Sequence, residues 1–344
     1  MRRNLDLIVN KVGGFYEILL PEKRTNPRLF VTVAPYGENE EFLCDTNGND
    51  LVVADPTPGK RPYFVMKSKE YADVTAGDRL VDLGAVENCR DMGGYRTLDG
   101  KTVKWGRFFR GAPFAGLCES DKLKCDSLGL KHILDYRNDV ESGQAPDYVP
   151  ENVEHHLLPA IRGSILKRNT EGSISKADLQ GTVGLISEVK SREDAEIYYR
   201  QFTNIYSSLP FENPAYQKMF DLMDSEDMVP FYQHCSAGKD RTGVGCALLL
   251  LALGVDQSTV EGEYLLSRPY RQEANIRFLE RHRDAITNEH ALKLMMRMSS
   301  VEEHLIHTAF EAILGRYRTY ENFLREEYGV TIERAEHWRE IHLF

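Results

Sequence analysis

The sequence predicts an α/β protein with a parallel-type central sheet flanked by helices, preceded by a small all-β, sandwich-like module at the N-terminus. Residues 1–75 consist of short β-rich runs separated by turn-forming residues. From about residue 80, short apolar runs alternate with helical patterns, which is typical of α/β sheets. The C-terminal segments carry helical periodicity. We therefore expect two units, residues 1–75 and residues 76–344.

The expected elements follow in chain order. In the first unit, runs such as FYEILL, RLFVTVA and PYFVMK alternate with turns such as PYGENE and PTPGK. In the second unit, KHILDYR (131–137) and VPFYQH (229–234) predict sheet strands with polar C-terminal ends. Residues at about 160–205 lie between these strands and predict a helical insertion that could serve as a lid. Residues 244–253 predict a buried helix, and the remaining segments predict a C-terminal helical group.

The overall composition argues against several classes of protein. The 344 residues carry a formal net charge of -10, so we expect neither general nucleic-acid binding nor binding to anionic membranes. The longest apolar run, residues 244–255, is shorter than the ~20 residues that a bilayer requires. The six cysteines form no CxxC pair and show no Cys/His spacing typical of zinc. We expect a soluble cytoplasmic protein, although a leader missing from the sequence would allow secretion.

The stretch HCSAGKDRTG, residues 234–243, carries the strongest chemical signal. Cys235 and Arg241 are separated by five residues, a loop length that can turn successive backbone N–H groups toward a bound anion. A helix beginning near Arg241 would add its positive N-terminal end. This setting would lower the pKa of the Cys235 thiol and make it a nucleophile for a phosphate ester. Arg241 would bind two phosphoryl oxygens, and His234 would orient the loop. The other expected phosphate-binding residues are Ser236, Ala237, Gly238, Lys239 and Thr242.

Phosphate ester cleavage also requires a general acid, and two positions compete for this role. Asp240 lies inside the loop and is the favoured candidate, while Asp135 at the end of KHILDYR is the alternative, with Asp139 and Glu141 just after it. Lys239 would add positive charge beside the substrate. We expect neither a metal ion nor another cofactor in the reaction, because the loop and its arginine stabilise the transferred charge.

These motifs resemble those of the bacterial protein tyrosine/serine phosphatase family, which is cysteine-dependent. Besides HCSAGKDRTG, NCRDMGGYRT (88–97) is similar to the segment that opens the family's catalytic domain, and GRFFRGAPF (106–114) with LDYR (134–137) and Glu141 matches a third pattern. The resemblance covers about residues 80–344 and implies a cysteine-phosphatase fold, a cysteinyl-phosphate intermediate and Asp240 as the general acid. It also suggests residues that support the loop: Asn88, Arg90, Asp91, Asp135 and Arg137. A turn with Asp and Asn caps would explain Asn88, Arg90 and Asp91 equally well.

The resemblance implies a protein tyrosine phosphatase that could also act on phosphoserine, phosphothreonine or phosphoinositides. Its expected partners are therefore phosphorylated proteins or phosphoinositides. A soluble inositol-polyphosphate phosphatase is the close alternative, and Arg162, Lys167 and Arg168 of the insertion would favour such polyanions. A non-catalytic phosphate-binding scaffold, with the β module as its interacting part, is the second alternative.

Four histidines outside the loop receive no catalytic role from the sequence. His304 and His307 are spaced for one helix face but lack an evident third metal ligand, so a solvated face explains them better. The pair His155 and His156 would end a strand or line its loop.

Overall fold

The computed structural model describes residues 7–19, 26–37, 39–46, 50–69, 72–161, 184, 186–284 and 286–344. Residues 162–183 and 185, half of the expected insertion, lie outside the described residues, together with Arg162, Lys167 and Arg168.

The N-terminal region consists of two antiparallel β-sheets. The three-stranded sheet has the order β1-β2-β5 and contains β1 (Ile8–Val12), β2 (Phe15–Leu19) and β5 (Leu51–Ala54). The four-stranded sheet has the order β4-β3-β6-β7 and contains β3 (Arg28–Thr32), β4 (Glu41–Asp45), β6 (Tyr63–Lys67) and β7 (Val74–Ala76). The shared core includes Ile18, Leu29 and Phe64, and it also takes in Trp105 from the following region. An all-β N-terminal region is therefore present, as the sequence predicts.

The central sheet is mixed, whereas the sequence predicts a parallel-type sheet. Its order is β11-β10-β12-β9-β8, and its strands are β8 (Arg90–Asp91), β9 (Phe108–Gly111), β10 (His132–Asp135), β11 (Glu154–Leu157) and β12 (Phe231–His234). Four neighbouring strands, β11, β10, β12 and β9, run parallel, whereas β8 pairs antiparallel with β9. The connection from β8 to β9 contains no helix to carry the chain across the sheet face, so the two strands meet in opposite directions.

Helices cover both the sheet and the C-terminal region. They are α1 (Glu119–Asp126), α2 (Asp139–Gln144), α3 (Arg192–Ser208), α4 (Pro214–Leu222), α5 (Arg241–Ala252), α6 (Gln257–Leu265), α7 (Ser267–Tyr270), α8 (Gln272–His282), α9 (Glu289–Ser299), α10 (Glu303–Tyr317), α11 (Tyr320–Tyr328) and α12 (Ile332–His342). A short 3₁₀ turn, Glu226–Met228, precedes β12.

Helix α5 lies at the centre of the largest apolar core, and nearly all of its residues are buried. Its burial explains why residues 244–253 are apolar on every face. Within the described parts of the chain, none of the helices has the length and apolar character needed to cross a bilayer. The fold therefore places the start of one buried helix directly after a central strand, where the HCSAGKDRTG stretch lies.

Candidate active site

Residues 235–241, called the cysteine loop here, join β12 to α5. Gly238 has a φ of +61°, and a Cβ there would lie 2.2 Å from the backbone of Gly111 on β9. The loop therefore packs backbone against backbone on the neighbouring strand, which only glycine allows. The Gly238 carbonyl accepts hydrogen bonds from Asn88 Nδ2 and Arg110 Nη2, both at 2.7 Å. These contacts fix the middle of the loop from behind.

Cys235 begins the loop and lines a cavity of about 320 Å³. Its side chain is buried, and burial alone raises the pKa of a thiol. The nearby guanidinium of Arg241 and hydrogen bonding from Thr242 outweigh this effect, so the pKa of Cys235 is lowered. The thiolate fraction of Cys235 at neutral pH is accordingly larger than that of an ordinary cysteine.

Arg241 is held by a carboxylate on α2. Its Nη1 and Nη2 atoms donate to the two carboxylate oxygens of Glu141, each at 2.7 Å. Ser236 Oγ donates to the same carboxylate at 2.5 Å and accepts from Arg241 Nη2 at 3.1 Å. Burial opposes ionisation of Glu141, but the Arg241 guanidinium lowers its pKa overall. Glu141 thus fixes the arginine fork beside the thiol.

Asp240 also lines the cavity, with its side chain 22% exposed. Its Oδ1 accepts a hydrogen bond from the Tyr206 hydroxyl on α3 at 2.5 Å, and Tyr206 in turn lies 2.9 Å from the hydroxyl of Tyr264 on α6. The carboxyl group therefore has a defined orientation at the cavity. The tyrosine that orients it lies 34 residues away in the sequence.

The sequence predicts that Lys239 adds a free positive charge beside the substrate, but in the structure its ammonium group is bound by other residues. Its Nζ donates to the carbonyls of Met298 at 2.7 Å and Ser300 at 3.2 Å, and to Asp240 Oδ1 at 3.1 Å. Burial lowers the pKa of Lys239. The lysine instead ties the cysteine loop to the end of α9, because its aliphatic stem is long enough to reach those carbonyls.

The motif NCRDMGG supplies part of the support behind the cysteine loop. Asn88 has a φ of +59°, and its Oδ1 accepts a hydrogen bond from Arg90 Nη1. Glu263 on α6 forms ion pairs with Arg90 at 2.6 Å and with Arg110 at 2.7 Å. Asp91 points elsewhere, as it accepts hydrogen bonds from Tyr63 and Arg61 of the N-terminal region. Asn88 and Arg90 therefore support the cysteine loop, whereas Asp91 joins the NCRDMGG segment to the N-terminal β-sheets.

His234 and Asp135 belong to a buried charged cluster beneath the loop. His234 Nε2 lies 3.3 Å from Asp147 Oδ2, and Arg137 Nη2 pairs with both Asp135 at 2.8 Å and Asp147 at 2.6 Å. His155 contacts both carboxylates, which raise its pKa to about 9. The positive charges of Arg137 and His155 thus balance the two carboxylates. A metal ion bound at this cluster would have to displace Arg137. Asp135 is fully buried and ion-paired, and it does not line the cavity, so the geometry does not support it as the alternative acid.

The cavity lining combines basic and apolar side chains. The arginines come from α8 and the residue before it: Arg271, Arg277 and Arg281. The apolar side chains are those of Ile186, Phe202, Phe278, Met295 and Met298. Arg271 is committed to the loop, since it donates to the Ala237 carbonyl and pairs with Glu87, both at 2.9 Å. The arrangement suits an anionic group attached to an apolar or aromatic body.

Sequence reasoning missed several of these residues. Tyr264 and Glu263 lie on α6, and nothing in their spacing points to the loop. Tyr206 belongs to an aromatic stripe on α3 that burial of a helix face explains as well as a position over the site does. Asp147 lies in an irregular segment, and its role depends on the parallel pairing of β10 with its neighbours. Arg110 could have been found, because it is a lone arginine in the otherwise apolar run FFRGA.

The chemistry of the site follows from these contacts. An acidified thiol, a fixed arginine fork and an oriented carboxyl group meet at one loop, at the N-terminus of a buried helix. The helix terminus and loop amides favour a bound anion. Such a set can transfer a phosphoryl group to sulfur and release it to water.

Comparison with known proteins agrees with this chemistry. Residues 81–343 match the family described as "Tyrosine phosphatase family". A Cupriavidus necator protein that carries the name of a tyrosine-protein phosphatase is 26% identical over 249 residues, covering 72% of this chain and 83% of the relative. The triple specificity protein phosphatase PtpB of Mycobacterium tuberculosis is 29% identical over 202 residues, covering 54% of this chain and 68% of the relative.

The family match spans the sheet, the cysteine loop and the C-terminal helices. The N-terminal β-sheets lie outside it. The chain belongs to the tyrosine phosphatase family and is a cysteine-dependent phosphatase of the protein tyrosine phosphatase type.

Proposed function

We propose that Cys235 is the nucleophile, Arg241 the phosphoryl-binding cation and Asp240 the general acid and base of this phosphatase. The observation that carries the proposal is the position of all three on one loop, with the thiol pKa lowered and the carboxyl group held toward the cavity. The backbone amides of residues 236–240 and the Thr242 hydroxyl would bind the phosphate and stabilise the thiolate.

The reaction would take place in two steps. The Cys235 thiolate attacks phosphorus, the ester P–O bond breaks, and Asp240 donates its proton to the departing oxygen. The ionised Asp240 then takes a proton from a water molecule whose oxygen attacks phosphorus. The P–S bond breaks, and inorganic phosphate and the thiolate are released. Arg241, fixed by Glu141, would neutralise the equatorial oxygens in both transition states.

The test compares wild type, Cys235→Ser and Asp240→Asn in EDTA on a phosphotyrosine peptide and on p-nitrophenyl phosphate. We expect no turnover from Cys235→Ser. Asp240→Asn should lose more activity on the phosphotyrosine peptide than on p-nitrophenyl phosphate, whose leaving group needs less protonation. Equal losses on both substrates would contradict the role of Asp240. Phosphate binding without turnover in the wild type would favour a non-catalytic scaffold.

We also propose that the substrates include phosphoinositides, and phosphoserine or phosphothreonine as minor substrates. The support is the lining of the cavity, which includes Arg277 and Arg281 together with several apolar side chains. The name of the M. tuberculosis relative also describes three specificities. The assay ranks phosphotyrosine and phosphoserine peptides, a short-chain phosphoinositide and inositol hexakisphosphate by kcat/KM. Preference for inositol hexakisphosphate would instead assign the chain to the inositol-polyphosphate class.

For the N-terminal region, we propose a boundary near residue 75 and a supporting role. Its last strand, β7, ends at Ala76, and Arg61 and Tyr63 bind the buried Asp91 of the catalytic region. Those contacts favour a rigid attachment and leave the outer sheet faces for a protein partner. We place the protein in the cytoplasm, since all six cysteines are unpaired. Its partners there would be phosphorylated proteins or phosphoinositides.

A further inference from the structure

A second group of potential ligands lies on the edge of the central sheet, outside the catalytic cavity. His132 begins β10, while Glu154 and His156 lie on β11, the edge strand. In the parallel register, His132 is opposite Glu154 and Leu134 is opposite His156. Because side chains alternate between the two faces of a strand, the two histidines and the glutamate project from the same face.

The three donor atoms form a compact triangle. His132 Nδ1 lies 3.1 Å from His156 Nε2, and Glu154 Oε2 lies 3.5 Å from each of these nitrogens. A tetrahedral zinc ion with bonds of ~2.0–2.1 Å separates its ligand atoms by roughly 3.3–3.4 Å. The triangle therefore has the dimensions of one face of a zinc coordination tetrahedron, and the Glu154 side chain is exposed to solvent.

We propose that His132, Glu154 and His156 bind a divalent transition-metal cation of the zinc class. Two imidazoles and one carboxylate are the ligand set of open zinc sites.

The donor types of the three residues decide which cations fit. A site with a single carboxylate is poor for Mg²⁺ or Ca²⁺, which require several oxygen ligands. Imidazole nitrogen favours zinc, nickel and copper, so the site should select these cations over the hard ones.

The position of the site indicates a structural effect. His132 is in register with Phe231, four residues before Cys235, so the site lies roughly 13 Å along the strands from the start of the cysteine loop. A bound cation would join edge strand β11 to β10 without contacting the substrate. We therefore expect metal binding to stabilise the fold, since a ligand that binds only the native state raises the free energy of unfolding.

The test titrates zinc chloride into the metal-free full-length chain carrying Cys235→Ser, which removes the reactive thiolate as a competing ligand. Calorimetry should give one saturable site per chain, and zinc should raise the melting temperature. In this background, Glu154→Gln and His156→Ala should weaken binding at least tenfold. His304→Ala, which removes a half-exposed histidine elsewhere, should leave binding unchanged.

The metal-free melting temperature of each variant separates lost binding from lost folding. A millimolar excess of Mg²⁺ should not displace zinc. Absence of a saturable site, or zinc affinity that is the same in His156→Ala, would overturn the proposal and leave a hydrogen-bonded histidine pair. Activity in EDTA is independent of this outcome, so the catalytic proposal is tested separately.

Discussion

Replacing Glu141 with glutamine perturbs the arginine of the cysteine loop without removing any atom that would touch substrate. In the structure, each carboxylate oxygen of Glu141 accepts one hydrogen bond from Arg241 at 2.7 Å, and Oε1 also accepts from Ser236. Glutamine keeps the side-chain volume but offers only one oxygen, and its NH₂ group must face a donor. The arginine fork therefore loses one of its two fixed positions.

The size of the effect follows from the type of bond lost. A hydrogen bond between charged groups contributes about 1.5–3 kcal/mol. If that energy is needed to hold Arg241 where the transition state requires it, kcat/KM should fall about 10- to 150-fold. The fall should appear mainly in kcat, because the arginine neutralises charge that develops during phosphoryl transfer.

The assay measures kcat and KM of Glu141→Gln on a phosphotyrosine peptide, with Asp139→Asn as the matched control on the exposed side of α2. The control should retain wild-type kinetics. Melting temperatures check that both variants fold. A Glu141→Gln enzyme with kcat/KM within twofold of wild type would refute the positioning role.

Three further predictions concern the loop itself. Arg241→Lys should shift the pH midpoint of Cys235 alkylation by iodoacetamide upward, because the guanidinium is the strongest influence lowering that pKa; an unchanged midpoint would contradict this. Tyr206→Phe should reduce kcat about tenfold with little change in KM, because Asp240 loses the hydroxyl that orients it; a change in KM alone would argue against orientation. Gly238→Ala should lower the free energy of unfolding by more than the ~1–2 kcal/mol that an alanine in the left-handed conformation costs, because its Cβ would also clash with Gly111. Gly116→Ala, which has a similar φ but open space around it, should lower the free energy of unfolding by only ~1–2 kcal/mol in a denaturation experiment.

The cysteine loop could be predicted from the sequence because its chemistry is contiguous. Cys235, Asp240 and Arg241 lie within seven positions, and the structure brings them to one cavity. The residues that fix them come from distant parts of the chain. Tyr206 and Glu141, for example, are 34 and 100 residues from their partners, and no local pattern records such pairings.

The alternative acid shows where strand-end reasoning fails. Asp135 ends a strand beside the loop, and this position makes it the alternative to the favoured Asp240 in the sequence. The structure directs its carboxylate to Arg137 and His155 instead. The zinc-class site was missed for a related reason, since His132 and His156 are 24 residues apart and meet only through parallel strand pairing.

The contacts behind the loop explain how a protein with a net charge of -10 can bind a phosphate dianion. Three arginines at the loop are already paired, Arg241 with Glu141, Arg271 with Glu87 and Arg110 with Glu263. These three residues therefore add no excess of positive charge to the loop. The carbonyls of Ala237 and Gly238, which would repel an anion, are instead occupied by arginine and asparagine donors. We infer that this leaves the loop amides to face the cavity. Arg110 and Arg271 then act by fixing the backbone, and the phosphate is bound by oriented N–H dipoles, the N-terminus of α5 and the guanidinium of Arg241. Because those dipoles are fixed before substrate arrives, little reorganisation is needed in the transition state.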